Sequence, residues 1–498
     1  MKKILLIVCA LGALNGFAQK GAKPEAYGKT ITAADLRKHL FIVAGPEMEG
    51  RETATPGQRK AAEYIENQFR AIGLQPGANG GYQQFFNVYQ DSLLSSRVEV
   101  NGQAFELDKD FSPNVGQNIN ATMRFSEVVY LGTGASVDSV RNMNLAGRVV
   151  MVTGTPPMGR QQGGGNNLFS VLSTKGMAAL LMVQTNFPRT TPTNRKGRQY
   201  VNAFNRSVAP QQYGISENLA KAIAGNGWDA AKGNNAAIQI FPADLTLELQ
   251  KSSTSAQSSN VVGVLPGTDL KDEYLFITAH YDHLGKQGNT IYYGADDDGS
   301  GTVGVIEIAE AFAKAKAAGK GPRRTIVFMT VSGEEKGLWG SDYYSSHPLF
   351  PLDKTTADLN IDMIGRSDAS RKVGDSTNYV YVVGDDKLSS DLRTISEAAN
   401  KKYVKMELDY KFNDPKDPNR IYYRSDHYNF AKKGVPIIFY YDGMLGADYH
   451  RATDTPDKIN YDLHAKRAQL VFYTAWEMAN RNDMLKRDIP LDTNVFNR

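Results

Sequence analysis

The chain has 498 residues, which is about three times the length of a typical single domain, and 41% of them are hydrophobic. Charge is nearly balanced, with 57 Lys and Arg against 53 Asp and Glu. This small excess argues against a nucleic-acid-binding protein, which would carry a concentrated basic face. The composition predicts a globular protein with two folded units.

The first residues predict an export signal. Lys2 and Lys3 precede an apolar run over residues 4–14, and a small-x-small cleavage site follows at 16–18. A membrane anchor is the alternative, but a spanning helix needs roughly 20 apolar residues and this run is shorter. We therefore expect residues 1–18 to be a signal peptide and the protein to be exported, either to the periplasm or out of the cell. No other segment is apolar enough to predict a membrane span.

Cys9 is the only cysteine in the sequence, and it lies inside this signal. A lipid-modified cysteine is the alternative, although bulky Val8 stands where a small residue is expected. Removal of the signal leaves a mature chain without thiols, so disulfides and thiolate ligands are not expected. Any metal must then bind through His, Asp and Glu side chains.

Changes in residue composition and hydrophobic pattern along the chain predict the domain organisation. Residues 57–74 predict an amphipathic helix, because apolar side chains recur there at helical spacing. Residues 112–250 combine loop-like stretches with short apolar runs and predict an inserted α/β domain, which a Ser/Thr-rich stretch at 252–259 closes. The insertion divides a catalytic domain into a first part, 19–111, and a second part, 251–498.

The second part alternates strands with helices. One helix is predicted over 302–316, and the candidate strands are 274–279, 324–331, 358–363, 378–383 and 435–441. This alternation predicts an α/β fold with a mixed, mainly parallel sheet sandwiched by helices.

Chemically active side chains follow these strands at the points where the strands end. The segments concerned contain His280, Asp282 and His283, then Glu334 and Glu335, then Asp362, and finally His450. Another segment, 294–301, places three consecutive aspartates just before the predicted helix. Because open α/β sheets bind ligands outside the carboxyl ends of their strands, we expect these groups to meet.

Each segment alone has an ordinary explanation. Aspartates before a helix commonly cap its N-terminus, and adjacent glutamates are usually surface charge. Together, however, two histidines, two aspartates and a glutamate form a set that suits two divalent ions. Imidazole combined with carboxylate oxygens favours zinc.

Five ordered motifs resemble the co-catalytic di-zinc aminopeptidases, whose superfamily includes bacterial leucyl aminopeptidases, aminopeptidase S, glutamate carboxypeptidase and the transferrin receptor. The motifs are His280-Tyr-Asp282, Gly294-Ala-Asp-Asp297-Asp-Gly-Ser-Gly301, Ser332-Gly-Glu334-Glu335-Lys-Gly-Leu, Leu359-Asn-Ile-Asp362-Met, and Tyr449-His450 with Asp454-Thr455. The resemblance covers roughly 30–110, including Glu49-Gly-Arg51, and 255–480. It implies a zinc-exopeptidase fold of the phosphorylase/hydrolase-like kind, with the insertion similar to a protease-associated domain.

The resemblance also implies a role for each site residue and two Zn²⁺ ions per chain. In the family pattern Asp297 bridges both ions, His280 and Asp362 complete one site, and Glu335 and His450 complete the other. Glu334 is then the general base. Asp282 orients His280, and Asp454 supports the loop that carries His450.

These roles predict a secreted zinc-dependent exopeptidase that acts on peptides and releases N-terminal residues. A carboxypeptidase is an alternative, because a substrate carboxylate could be bound by Arg366, Arg420, Arg424 or Arg451. A glutaminyl cyclase on the same fold would use one zinc and lack the aspartate run. A non-catalytic receptor-type relative would have lost ligands that this chain retains. The sequence carries no signal for the oligomeric state.

Overall fold

The computed structural model describes residues 23–154, 168–202, 209–234, 236–446 and 448–491. The described residues form two compact units, one within 23–85 and 259–491 and the other within 86–258. The predicted signal peptide, residues 1–18, and Cys9 within it lie outside the described residues.

Helices and strands alternate along most of the described chain. The α-helices are α1 Glu25–Gly28, α2 Ala33–Val43, α3 Pro56–Ile72, α4 Val137–Arg141, α5 Leu168–Ser173, α6 Glu217–Ala224, α7 Trp228–Ala231, α8 Gly301–Ala317, α9 Trp339–Ser346, α10 Asp391–Ala399, α11 His427–Ala431 and α12 Tyr461–Asn480. The strands are β1 Gln75–Pro76, β2 Gln83–Val100, β3 Gln103–Phe105, β4 Phe111–Pro113, β5 Ala121–Tyr130, β6 Val149–Thr153, β7 Ala179–Val183, β8 Lys196–Tyr200, β9 Gln211–Ile215, β10 Gln239–Leu265, β11 Leu270–His280, β12 Lys286–Gln287, β13 Thr290–Ile291, β14 Arg324–Val331, β15 Thr355–Ile361, β16 Tyr379–Val383, β17 Glu407–Asp409 and β18 Ile437–Tyr441. Within the described ranges, no helix has both the length and the apolarity that a membrane crossing requires.

The first unit contains the predicted mixed sheet. Its strands lie in the order β17-β16-β18-β15-β11-β14-β10. Strand β11 is parallel to both of its neighbours, β14 and β15, and β15 is parallel to β18. The end of β10 runs antiparallel to β14, and β16 runs antiparallel to β18. The expectation of a mainly parallel sheet is therefore confirmed, and the predicted strands and the helices α3 and α8 lie where the sequence placed them.

Helices cover both faces of this sheet. Side chains of β11 alternate between the faces, so that Leu275 and Ile277 belong to one buried apolar cluster and Phe276 to another. The first cluster includes apolar residues of α2, α3, α8 and α12. The second includes Tyr344 of α9 and Phe430 of α11. A parallel sheet buried in this way explains why its strands read as nearly continuous apolar runs.

The second unit has its own core and its own strands. The first part of β10 pairs with β5, and the order continues through β6, β7 and β9 to β4. The predicted insertion covered 112–250, whereas the compact unit begins at Phe86 and ends at Ser258. The difference arises because β4 hydrogen-bonds to β9, and β2 pairs with β3 and β8, so these earlier strands pack within the second unit.

A single buried arginine ties together three backbone segments of the first unit. The Arg51 side chain is fully buried. Its guanidinium donates hydrogen bonds of 2.7–2.9 Å to four backbone carbonyl oxygens, those of Val43, Tyr281, Tyr293 and Gly294. These carbonyls lie at the end of α2, just after β11, and just before the run of aspartates. Arg51 therefore holds the backbone on either side of the residues that follow β11.

We predict that Arg51→Met lowers the free energy of unfolding by about 2–5 kcal/mol, because buried carbonyl oxygens lose a charged donor. The measurement is urea denaturation followed by circular dichroism. The matched control is Arg59→Met on the exposed face of α3, which should change stability by less than about 0.5 kcal/mol. Equal effects of the two substitutions would contradict the role of Arg51.

Candidate metal centre

Four neighbouring strands bring the predicted site residues to one edge of the sheet. His280 is the last residue of β11, Glu334 and Glu335 follow β14, and Asp362 directly follows β15. His450 lies in the loop after β18. Because β18, β15, β11 and β14 are adjacent in the sheet, these side chains reach the same place. This is the edge at which open α/β sheets bind their ligands.

Three of the side chains form a first buried group, His280, Asp297 and Asp362, which could hold a metal ion. The Nε2 atom of His280 lies 3.3 Å from Oδ1 of Asp297 and 3.6 Å from Oδ1 of Asp362. The other ring nitrogen, Nδ1, lies 3.2 Å from the backbone carbonyl oxygen of Asp282. An Nδ1–H donor in that hydrogen bond leaves Nε2 free as a ligand, which is how metal-bound histidines are usually oriented.

A second group shares Asp297 and contains Glu335, His283 and His450. His283, Asp297 and Glu335 together could hold a metal ion. Oε1 of Glu335 lies 2.8 Å from Nδ1 of His283, and Oε2 of Glu335 lies 3.0 Å from Nε2 of His450. His450 Nε2 is also 3.2 Å from Oδ2 of Asp297. The two carboxylate oxygens of Asp297 therefore face different groups.

His283 is a member of this centre that the family pattern does not include. The sequence places it at the same strand end as His280, three residues later. Its side chain is fully buried, and its Nδ1 atom lies 2.8 Å from Oε1 of Glu335 without forming a well-directed hydrogen bond. Its position beside Asp282 was the available signal, but only the tertiary contact with Glu335 shows what it faces.

Several buried polar atoms of the centre lie 2.8–3.9 Å from one another yet form no well-directed hydrogen bond within the described part of the chain. They are Nε2 of His280, both ring nitrogens of His283, Oδ2 of Asp297 and Oε1 of Glu335. Unpaired buried polar atoms are rare, because each one costs free energy of desolvation. Nitrogen and carboxylate donors that converge in two groups fit the ligand set of zinc. The residues present therefore fit two metal ions.

The charges of the centre stabilise one another strongly. Burial by itself disfavours the ionised form of Asp297, but His280 and His450 outweigh it and hold the pKa of this carboxyl well below its usual range. Burial also disfavours a charged His450, yet Asp297 and Glu335 raise the pKa of its imidazole to about 10. The side chains thus form a network in which positive charge is held among carboxylates, as a bound cation would be.

The adjacent glutamates have different environments. Burial raises the pKa of Glu334 well above its ordinary value, and the carboxylates of Asp362 and Glu335 add to this effect. Burial acts in the same direction on Glu335, but contacts with His283 and His450 lower its pKa. Glu335 is therefore held as a carboxylate between two imidazoles. Glu334 instead faces the open space in front of the centre, 4.0 Å from Nε2 of His280.

The three consecutive aspartates have two different roles: two of them accept backbone hydrogen bonds, and one faces the candidate ligands. Asp298 is fully buried and accepts hydrogen bonds from the backbone N–H groups of His280, Gly301 and Met363 at 2.8–3.2 Å. A Cβ at position 301 would overlap the Asp298 carboxylate, which explains the glycine there. Asp296 accepts from the N–H of Gly365 at 2.8 Å. The helix-capping explanation thus fits Asp298, while Asp297 faces the two groups.

The two supporting carboxylates predicted from the sequence also bind backbone. Asp282 accepts from the hydroxyl of Thr53 at 2.7 Å and from the N–H of Glu334 at 3.2 Å, while its carboxylate lies 3.7 Å from Nδ1 of His280. Asp454 accepts from the N–H groups of Asp296 and Asp297 at 3.0–3.2 Å. Asp282 therefore joins His280 to the glutamate pair, and Asp454 holds the aspartate run.

A pocket opens beside the centre. Its walls include Asp297, Glu334 and Asp362 on the acidic side, together with Met363, Ile421, Arg424, Phe439, Tyr441, Leu445 and Tyr449. The ring of Tyr449 stacks on that of His450, with 3.9 Å between centroids and 19° between planes. The pocket therefore contacts the candidate metal ligands on one side and apolar and aromatic side chains on the other.

Comparison with known proteins agrees with this geometry. Residues 260–475, which include every candidate ligand, match peptidase family M28. A probable leucine aminopeptidase from Arthroderma otae is 30% identical over 229 residues, covering 45% of this chain and 58% of the relative. A probable zinc metalloprotease from Pyrenophora teres f. teres is 27% identical over 277 residues, covering 50% of this chain and 51% of the relative. The chain thus spans only a little over half the length of these curated relatives.

Solved structures show the same fold over nearly the whole chain. An aminopeptidase from Aneurinibacillus sp. strain AM-1 has a TM-score of 0.56 at 18% identity, covering 94% of this chain and 98% of that protein. A zinc aminopeptidase from Bacillus subtilis has a TM-score of 0.52 at 17% identity, covering 92% of this chain and 99% of that protein. These likenesses confirm the mixed α/β fold class.

We predict that His283→Asn weakens zinc binding by about 10- to 100-fold, as loss of a histidine at or next to a metal commonly does. The measurement is calorimetric titration of metal-free protein with zinc. His347→Asn provides the matched control, since His347 is exposed at the end of α9 and lies outside both groups. Wild-type zinc affinity in the His283 variant would show that this ring only packs against the centre.

Proposed function

We propose that this protein is a zinc-dependent aminopeptidase that removes N-terminal residues from peptides. The observation that carries the proposal is the position of Asp297, whose two oxygens each face a separate buried group of histidine and carboxylate ligands. The match of residues 260–475 to peptidase family M28, and relatives named as aminopeptidase and zinc metalloprotease, support the same chemistry.

Each ion would have its own ligands and would share Asp297. His280 and Asp362 would hold one ion, and Glu335 and His450 would hold the other, with His283 close enough to contribute. Bound zinc supplies a water of lowered pKa and polarises the scissile carbonyl group. His280, Asp297, Glu335 and Asp362 are largely buried, whereas His450 is partly exposed. The burial of the first four limits bulk water around their charges, which strengthens their interactions.

Glu334 is the proposed general base. Its carboxylate lines the pocket beside the ligands, and its backbone N–H is held by the Asp282 carboxylate at 3.2 Å. From this position Glu334 can accept a proton from the attacking water and later donate it to the nitrogen of the leaving amine. Glu335 cannot take this role in the same way, because both of its oxygens face imidazoles.

Acidic groups favour an aminopeptidase over the alternatives. Glu334 and Asp362 line the pocket and can bind the ammonium group of a peptide N-terminus. A carboxypeptidase remains the second candidate, because Arg424 lines the same pocket and could bind a terminal carboxylate. Two ligand groups argue against a one-zinc glutaminyl cyclase, and a complete ligand set argues against a non-catalytic receptor.

We further propose that the protein is exported by a signal peptide over residues 1–18, since this segment has the charged, apolar and small-residue regions of such signals. The second unit is proposed to be a protease-associated-like domain. Its short parallel strands β5, β6 and β7 with few short helices support this.

The two glutamates are predicted to respond differently to the same change. Glu334→Gln should retain zinc and lose at least about 100-fold in kcat, because only the proton transfer is removed. Glu335→Gln should also lose zinc, since a ligand carboxylate becomes an amide. The measurements are kcat and bound zinc per chain by elemental analysis. Two variants that keep equal zinc and full activity would refute both roles.

The direction of attack is predicted from the acidic side of the pocket. Acetylation of a dipeptide's amine should abolish its hydrolysis, because the group that Glu334 and Asp362 bind is lost, whereas a dipeptide amidated at its carboxyl should still be hydrolysed. Hydrolysis is followed by chromatography, and a strong chelator should abolish it, with zinc restoring it. Cleavage of the acetylated peptide alone would identify a carboxypeptidase instead.

A further inference from the structure

Arg424 is the cation of the pocket beside the candidate metal centre. It directly follows the short helical turn Ile421–Tyr423, and its side chain is exposed. It lines the same pocket as the acidic groups, together with Met363, Tyr441 and Tyr449. Among the four arginines considered from the sequence, Arg424 is the one that lines this described pocket.

The guanidinium of Arg424 has an aromatic partner but no acidic one. Its Nη2 group donates to the hydroxyl of Tyr449 at 3.0 Å. Among the residues that the structure describes, no Asp or Glu forms an ion pair with Arg424. Arg366, by contrast, pairs with Asp448 at 2.9 Å. A guanidinium has five N–H donors in a planar fork, so one hydrogen bond to Tyr449 leaves Arg424 with donors to spare.

The acidic groups nearby act on this cation without forming an ion pair with it. Glu334 and Asp362 are close enough to act on Arg424 electrostatically. Neither carboxylate is within ion-pair distance of the Arg424 guanidinium in the described part of the chain. Arg424 is therefore a cation without a carboxylate partner in a pocket whose other walls are largely apolar and aromatic.

We propose that Arg424 binds a carboxylate of the peptide substrate in this pocket, which makes peptides with a carboxylate within its reach the preferred substrates. The inference rests on the proposed peptidase function and adds its specificity. Two carboxylates have the required chemistry, namely the side chain of an N-terminal Asp or Glu and the terminal carboxylate of a short peptide. Arginine suits either one, because its fork can form two parallel hydrogen bonds with a carboxylate.

Two pairs of peptides distinguish these sources. Glu-Ala-amide and Gln-Ala-amide differ only in the side-chain carboxylate, since both have a blocked terminus. Leu-Gly and Leu-Gly-amide differ only in the terminal carboxylate. In the wild-type protein, the acidic member of at least one pair should have a kcat/KM about 10- to 100-fold higher, which is the discrimination expected of a charged hydrogen bond.

Substitutions at the pocket assign that preference to Arg424. Arg424→Gln should bring the ratio of the two kcat/KM values close to one, and Arg424→Lys should retain part of it. Tyr449→Phe removes the hydrogen bond to Arg424 but leaves the cation, so this variant should keep the ratio even if all rates fall. Arg451→Gln is the matched control, because Arg451 is exposed in the same loop and is not part of the pocket wall.

Two results would overturn the proposal. The first is a ratio near one in the wild-type protein for both pairs. The second is a ratio that Arg424→Gln leaves unchanged. If both rates fall equally in that variant, Arg424 only positions Tyr449. Failure of the proposed function is a separate result, in which the wild-type protein hydrolyses none of the four peptides.

A binding measurement keeps the test independent of turnover. Calorimetric titration of the zinc-loaded protein with free glutamate, glutamine, Leu-Gly and Leu-Gly-amide should show the same preference. Arg424→Gln should abolish it and Arg451→Gln should not. Equal binding of the acidic and neutral compounds to the wild-type protein would overturn the proposal whether or not the protein is an active peptidase.

Discussion

The rest of the centre depends on the hydrogen bonds that the fully buried Asp298 carboxylate accepts from three backbone N–H groups. Asp298 accepts hydrogen bonds from the N–H groups of His280, Gly301 and Met363, which belong to the end of β11, the start of α8 and the exit from β15. These segments are distant in sequence and carry or flank the candidate ligands. A carboxylate can accept all three bonds because its two oxygens offer several lone pairs. Asp298 therefore sets the distance between His280 and Asp362 before any metal binds.

Two neighbouring carboxylates also hold backbone segments of the centre through hydrogen bonds. Asp296 accepts from the N–H of Gly365, and Asp454 accepts from the N–H groups of Asp296 and Asp297. Buried carboxylates cost desolvation energy, and backbone donors offset that cost. Asp297 differs in what its carboxylate faces, since its two oxygens lie 3.2–3.3 Å from the imidazoles of His280 and His450. These surroundings suit a bound cation, because the positive charge of His280 and His450 already stabilises the ionised Asp297 carboxylate.

Aromatic contacts connect the pocket wall to the candidate metal ligands. Tyr449 stacks on His450 and accepts a hydrogen bond from Arg424. A residue that would face the substrate is thus one hydrogen bond and one ring stack away from a candidate ligand. Acidic groups line the same pocket, so a bound peptide meets charges of both signs there. This polarity provides a physical basis for selecting one end of a peptide over the other.

Sequence alone determined five strands of the first unit, the helices α3 and α8, and the strand ends that carry His280, Glu334, Glu335 and Asp362, because these features follow from local periodicity and ordered motifs. It did not determine the contact of His283 with Glu335, the structural role of Asp298, or which of four arginines lines the pocket. It also began the insertion at 112, whereas the compact unit begins at Phe86, and it did not show that the Ser/Thr-rich 252–259 at the end of that unit belongs to the long strand β10. Those features were decided by tertiary structure, since each depends on pairing between residues far apart in the chain, which composition and spacing do not encode.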